Sequence, residues 1–176
     1  MKIIVRAMQV SDIPEVVSIE NSWSFLSKWG EEGYQRVLQD SRVYACLVAE
    51  DLDRERDLSR PTLAGLAVLA ILIDFCELCN LIVPPAYLSK KIGYRLLQTC
   101  LEIARQRAIP KMFLEVRTSN LRAIEFYKDN GFKVVSKRKN YYRNPIEDAW
   151  IMERRVSGSE IGLPNPNPLD WTGQPS

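Results

Sequence analysis

The stretch KMFLEVRTSNLRAIEFYKDNGFKVVSK, residues 111–137, changes its hydrophobic period twice. Residues 111–117 read as a strand, with Glu115 at its middle on the same face as Phe113 and Arg117. Residues 120–130 read as a helix on which Asn120, Ala123 or Ile124, and Tyr127 share one face. Residues 132–137 return to a strand. The stretch is a strand, a helix and a strand, and one β-α-β unit in the chain implies a mixed sheet.

Working outward, residues 3–7 read as a strand. A helix follows to about residue 21, with Ser11 or Asp12 as its cap and Pro14 in its first turn. Residues 23–30 form an aromatic-containing loop, and 31–38 a second short helix. Residues 43–50 and 62–73 read as strands joined by a charged hairpin connection at 51–61. Residues 77–83 make another strand, stopped by Pro84-Pro85. A long helix then spans about 91–107, with Ile92, Leu96, Cys100 and Ile103 or Ala104 at helical spacing. The last strand is about 148–154. Hairpins combined with one β-α-β unit predict an α+β fold with a mixed, mostly antiparallel sheet flanked by helices. Residues 1–155 are expected to form one domain. Residues 156–176, rich in Gly, Pro, Asn and Ser, are expected to be a disordered tail.

The chain has 176 residues, is 46% hydrophobic and carries a net charge of +2, too weak a balance to point to nucleic acid. Its longest apolar run, residues 63–73, falls short of the ~20 residues a membrane helix needs. Residues 1–7 lack the apolar core of a signal peptide, so the expectation is a cytoplasmic protein without a membrane partner. Cys76 and Cys79 form a C-x-x-C, but three residues apart on a strand they point to opposite faces. With no histidine in the chain, zinc sites of the usual Cys/His kind are not expected. The same absence excludes every His-based acid or base. Proton transfer falls to carboxylates, tyrosines, lysines, cysteines or water.

Three segments resemble the GNAT N-acetyltransferases: Asn80-Leu81-Ile82-Val83, Leu88-Ser89-Lys90-Lys91-Ile92-Gly93, and LEVR-x-SN-x-x-AI-x-x-Y ending in Gly131-Phe132. Asn140-Tyr141-Tyr142 and Glu147-Asp148-Ala149-Trp150-Ile151-Met152 extend the likeness to the RimI type, which acetylates the N-terminal alanine of a small-subunit ribosomal protein. The resemblance implies acetyl-CoA as donor and a protein N-terminus as acceptor. It implies Glu115 as general base and Tyr127 as the acid that protonates the departing thiolate. It places the cofactor on Leu81, Ile82, Val83, Ser89, Lys90, Lys91, Ile92, Gly93, Tyr94 and Asn120. Tyr141 and Tyr142 match tyrosines that follow the sixth strand and line a peptide groove.

The residues carry the required chemistry. Acyl transfer to an amine needs a neutral amine, a polarised thioester carbonyl and a proton for the leaving thiolate. An α-amine titrates near ~8 and a lysine near ~10.4, so an α-amine asks less of a carboxylate base. A phenol near ~10 can protonate a thiolate whose conjugate acid is near ~8.5, although uphill. The loop departs from the family pattern Gln/Arg-x-x-Gly-x-Gly/Ala: Leu88 replaces the polar residue and Lys91 the first glycine. Lys91 puts a Cβ where glycine would tolerate positive φ. Other readings stay open here: a lysine or small amine as acceptor, or a GNAT-fold binder without catalysis.

Overall fold

The third strand, Leu63–Ile71, is buried at all but its last residue, because Leu, Ala, Gly and Val present only small or apolar surface on both faces. Two hydrophobic cores therefore flank it. The structure, a computed structural model, describes residues 1–24, 26–54 and 62–156. Its strands are β1 (Ile3–Ala7), β2 (Tyr44–Asp51), β3 (Leu63–Ile71), β4 (Cys76–Ile82), β5 (Lys111–Arg117), β6 (Lys133–Arg143) and β7 (Ile146–Arg155). The helices are α1 (Ile13–Asn21), α2 (Gly30–Gln39), α3 (Ile92–Gln106) and α4 (Leu121–Asp129). The expected α+β class and element order are both present.

The strands form one sheet in the order β1-β2-β3-β4-β5-β7-β6. Every neighbouring pair is antiparallel except β4 with β5. One core joins α3 and α4 to the sheet through Leu96, Leu97, Leu101, Leu114 and Tyr127. The other joins α1 and α2 through Val16, Ile19, Tyr34 and Val48. Helix α3 lies close on β3 at Gly65, where a Cβ would meet the Ile82 carbonyl at 2.9 Å and Ile92 and Leu96 at 3.2 Å.

The β4–β5 pairing decides where the site can be. It has three rungs, Cys76 with Met112, Glu77 with Phe113 and Leu78 with Leu114. Opposite β3 the register of β4 then slips, Val68 meeting Asn80 and Leu69 meeting Leu78, so Cys79 is the extra residue of a bulge. A bulge bends its strand. β4 swings away from β5, and the sheet opens into a V past Leu78 and Leu114. Cys76 stays in the α3–α4 core while Cys79 packs toward the other, on opposite faces as expected. Burial pushes the Cys79 thiol up to about 11 and the Cys100 thiol up as well, so neither is a ready nucleophile.

One strand is longer than its sequence predicts. β6 runs to Arg143, so Tyr141 and Tyr142 lie inside it rather than after it. It is an edge strand exposed at nearly every position, and its basic residues show no apolar alternation to read. Charge pairing stands in for burial: Lys137 Nζ meets Asp148 at 2.7 Å. A bulge between Arg138 and Tyr142 includes Asn140, at φ 51°. Most of the charged connection after β2, and the expected tail with Trp171, lie outside the described residues.

Candidate active site

Residues of α3 and α4 line the opening of the sheet, around a cleft of ≈ 670 Å³. Of the residues expected to hold the donor, Leu81, Ile82, Val83, Ser89, Lys91, Ile92, Gly93, Tyr94 and Asn120 line it, and so does Tyr127. Lys90 does not; its ammonium lies 4.9 Å from the centre of the Tyr87 ring. Trp23, Leu26, Tyr87, Arg122 and Phe126 also line the cleft. Tyr87, Arg122 and Phe126 were not singled out from sequence; Arg122 and Phe126 stand four apart on α4 and so share a face, a signal that was available. Trp23 and Leu26 come from the aromatic-containing loop expected at 23–30, and the Trp23 indole N–H donates to the Val83 carbonyl across 60 positions, at 3.0 Å.

The loop before α3 is built for an anion. Ser89 and Lys91 both take left-handed backbone, at φ 62° and 59°. Such alternation turns successive N–H groups toward one point. Lys91 is the N-cap of α3 and makes no side-chain cap bond, so the first-turn N–H groups keep their donors for a ligand. A Cβ on Gly93 would stand 3.5–3.7 Å from Leu81, Val83 and Phe126, and a larger side chain would fill the cleft there. Past Leu78, β4 has no rung to β5, which leaves edge backbone facing the V for an amide-bearing chain. An apolar wall, an edge strand and an anion-binding helix end in one cleft fit acetyl-CoA.

The cost of Lys91 is measurable. A non-glycine residue in left-handed conformation loses about 1–2 kcal/mol, partly offset in a glycine variant by chain entropy. Lys91→Gly is expected to raise Tm by about 1–4 °C in calorimetry. With backbone N–H groups as the expected grip, acetyl-CoA affinity by titration should stay within about threefold, the range of one exposed charge. An unchanged or lower Tm would remove the strain argument.

Glu115 lies elsewhere. Strand alternation turns it with Phe113 and Arg117 toward the α1–α2 side, whereas Leu114 and Val116 join the core that contains Tyr127. Its carboxylate meets Arg138 at 2.5 Å. It also accepts a hydrogen bond from the Tyr141 hydroxyl, which with burial pushes that phenol up to about 12. The structure therefore brings Glu115 together with Tyr141 and Arg138, and Tyr127 together with the cleft, without direct contact between the two. Burial first, and then the Glu115 charge, push the Tyr142 phenol up to about 12, and Tyr142 adds a smaller upward push to Tyr127.

A second, polar hollow of ≈ 600 Å³ adjoins this side, lined by Ser24, Ser27, Lys28, Tyr141, Tyr142 and Arg143 among others. Leu26 lines both hollows. The loop bearing it is anchored at one end by Trp23 and at the other by Glu20. Glu20 is wholly buried and accepts from the N–H groups of Trp29 and Gly30 and from the Tyr34 hydroxyl. Across the hollow, Arg117 stacks at 4.0 Å on Tyr142 and pairs with Glu147 at 3.1 Å. Burial opposes the charge of Glu147, but bonds from Ser119, Arg117 and Thr118 hold its carboxyl down to about 2. Asn120 caps α4, accepting from Ala123 N–H at 3.2 Å, so its place on the cleft wall is fixed structurally.

Among the described residues no cluster of His, Cys, Asp and Glu could hold a metal, and no helix is long and apolar enough to cross a membrane. Residues 13–132 match the acetyltransferase (GNAT) family. A Bacillus subtilis (strain 168) protein provisionally named [ribosomal protein bS18]-alanine N-acetyltransferase is 32% identical over 152 residues, 86% of this chain and 94% of its own. The structure of the ribosomal-protein-S18-alanine N-acetyltransferase from Escherichia coli superposes with a TM-score of 0.75 at 25% identity, over 93% of this chain and 100% of that one. The PaiA N-acetyltransferase of Thermoplasma acidophilum, solved with coenzyme A, gives 0.67 at 25% identity, over 88% and 99%. With a V-shaped sheet, a donor cleft at its opening and these relatives, the chain belongs to the GNAT family of acetyl-CoA-dependent acetyltransferases.

Proposed function

We propose that the protein acetylates the N-terminal α-amine of a protein, a ribosomal protein in particular, with Glu115 as base and Tyr127 as acid. The observation that carries this reading is the shared wall at Leu26: the donor cleft and the hollow lined by Tyr141, the partner of Glu115, meet there. Relatives named for alanine N-acetylation of bS18 support the choice of acceptor. An extended chain end can lie in the hollow, with Tyr141 and Tyr142 along it and its amine toward Glu115.

Bound acetyl-CoA supplies an activated acetyl thioester. Glu115 takes the proton that the amine loses as its C–N bond forms, directly or through water. Tyr127 gives its phenolic proton to the sulfur as the C–S bond breaks. One carrier ends a proton up and the other a proton down, and exchange with solvent resets both. An α-amine suits this arrangement because part of it, with pKa near ~8, is already neutral at pH 7.

The test is incubation with acetyl-CoA and peptides that differ in their first residue, read by mass spectrometry. Acetylation is expected at the α-amine of an alanine-initiated peptide, with internal lysines untouched. Acetylation of lysines but not of free N-termini would overturn the acceptor class.

A further inference from the structure

A regular strand turns side chains three apart to opposite faces, yet β6 sends both Arg138 and Tyr141 to Glu115. Arg138 pairs with the Glu115 carboxylate at 2.5 Å, and the Tyr141 hydroxyl donates to it. The Arg138 guanidinium also lies 5.4 Å from the centre of the Tyr141 ring. The bulge makes this possible. Arg138 stands opposite Ala149 and Tyr142 opposite Glu147, so residues 139–141 of β6 face Asp148 alone. Extra residues in one strand bend it and re-aim its side chains. The bend passes through Asn140 at φ 51°, a left-handed position that a side chain adopts at a cost. Asp148 supports it. Its Oδ1 accepts from the Asn140 N–H at 2.8 Å, and its Oδ2 meets Lys137 Nζ at 2.7 Å. Its backbone carbonyl accepts from the Thr118 N–H at 3.2 Å, just past the end of β5, the strand that carries Glu115. Asp148 therefore ties the bulge to the strand of Glu115, while lining neither hollow itself.

We propose that Asp148 is a positioning residue of the acceptor site, a staple that keeps the β6 bulge in the shape that holds Arg138 and Tyr141 against Glu115. This rests on the reading that Glu115 serves the acceptor amine. Without the staple Asn140 returns to extended backbone, and regular alternation turns Tyr141 to the face opposite Arg138. Glu115 then loses the hydroxyl that orients it, and the polar hollow loses the wall that Tyr141 gives it. A misplacement of about 1 Å near reacting groups can cost up to ~10²-fold in rate. The donor cleft takes no residue from the bulge, so the grip on acetyl-CoA stays as it is. Lys137 and then the Asn140 N–H hold the Asp148 carboxyl below the usual carboxylate range, which keeps the staple charged at neutral pH.

The test is a double-mutant cycle on the full chain, with acetyl-CoA and an alanine-initiated peptide as acceptor. Asp148→Ala is expected to lower kcat/KM for the peptide about tenfold, with acetyl-CoA affinity by calorimetric titration within about twofold. Tyr141→Phe should cost about tenfold in the parent, as for a hydrogen bond to a charged group. Once Asp148→Ala is in place it should cost less than about twofold, because the hydroxyl no longer reaches Glu115. Asp148→Asn keeps an oxygen for the Asn140 N–H, and Lys137→Met removes the ion pair alone; both should stay within about threefold. Asn140→Val leaves Asp148 in place but resists left-handed backbone, and should reproduce the loss. Full activity in Asp148→Ala or in Asn140→Val would overturn the proposal, as would additive losses in the cycle or a parallel loss of acetyl-CoA affinity. So would an Asp148→Asn or Lys137→Met variant as impaired as Asp148→Ala. Glu115→Gln run in parallel separates the two readings. Full activity there sinks the Glu115 assignment itself, whereas a crippled Glu115→Gln beside an uncoupled Asp148 and Tyr141 sinks this inference alone.

Discussion

Glu115→Gln is expected to lower kcat by about 10²–10³-fold, the range of a lost general base. Glutamine keeps the shape and one acceptor oxygen but cannot take the amine's proton. Acetyl-CoA affinity should be unchanged, because Glu115 does not line the donor cleft. Stability should fall by less than about 1 kcal/mol, since the lost ion pair joins a half-exposed Arg138. Steady-state kinetics at saturating acceptor, with calorimetric titration of acetyl-CoA, separate these effects. The arrangement makes the result more demanding than a usual base assignment. Glu115 must exchange its present partners, Arg138 and the Tyr141 hydroxyl, for the incoming amine. A variant that kept full activity would show that water or another carboxylate removes the proton.

The fold was legible wherever burial imposed a period. β3, β5 and α3 are apolar on the faces they bury; the expected limits of β5 match the observed ones and those of β3 and α3 differ by a residue or two. β6 was cut short because an edge strand has no buried face to write into its sequence. The site was legible in parts. Tyr127 and the α3 loop stood out through the family pattern, and both line the cleft. The bulge at Cys79, which turns β4 away from β5, left no mark in the sequence. The loop bearing Trp23 and Leu26 was legible as aromatic-containing, but the place of Leu26 as a wall between two hollows was not, because it belongs to tertiary packing. The departure at Lys91 was visible as a missing glycine, and its left-handed backbone is what that absence implied.

Tyr127→Phe is expected to lower kcat by about 10²-fold, as for removal of one donor to developing charge. KM for both substrates should stay within about threefold. Phenylalanine retains the ring, which packs edge-on against Phe126 at 5.2 Å and Phe132 at 5.6 Å between centroids. Tm should therefore move by no more than about 2–4 °C, the equivalent of ~1 kcal/mol. Burial raises the Tyr127 phenol above its ordinary value, which at first sight makes it a worse acid for a thiolate. The same desolvation acts on a thiolate forming in that cleft, raising its proton affinity too, so the gap between donor and acceptor changes less than either group alone. With its titration moved upward by burial, Tyr127 should add no alkaline limb to kcat up to about pH 10, its ordinary titration point. An alkaline limb present in the wild type below that pH and absent from Tyr127→Phe would show a phenol that ionises readily, contrary to its burial. A full-rate Tyr127→Phe enzyme would instead mean that the thiolate leaves unprotonated or takes its proton from water.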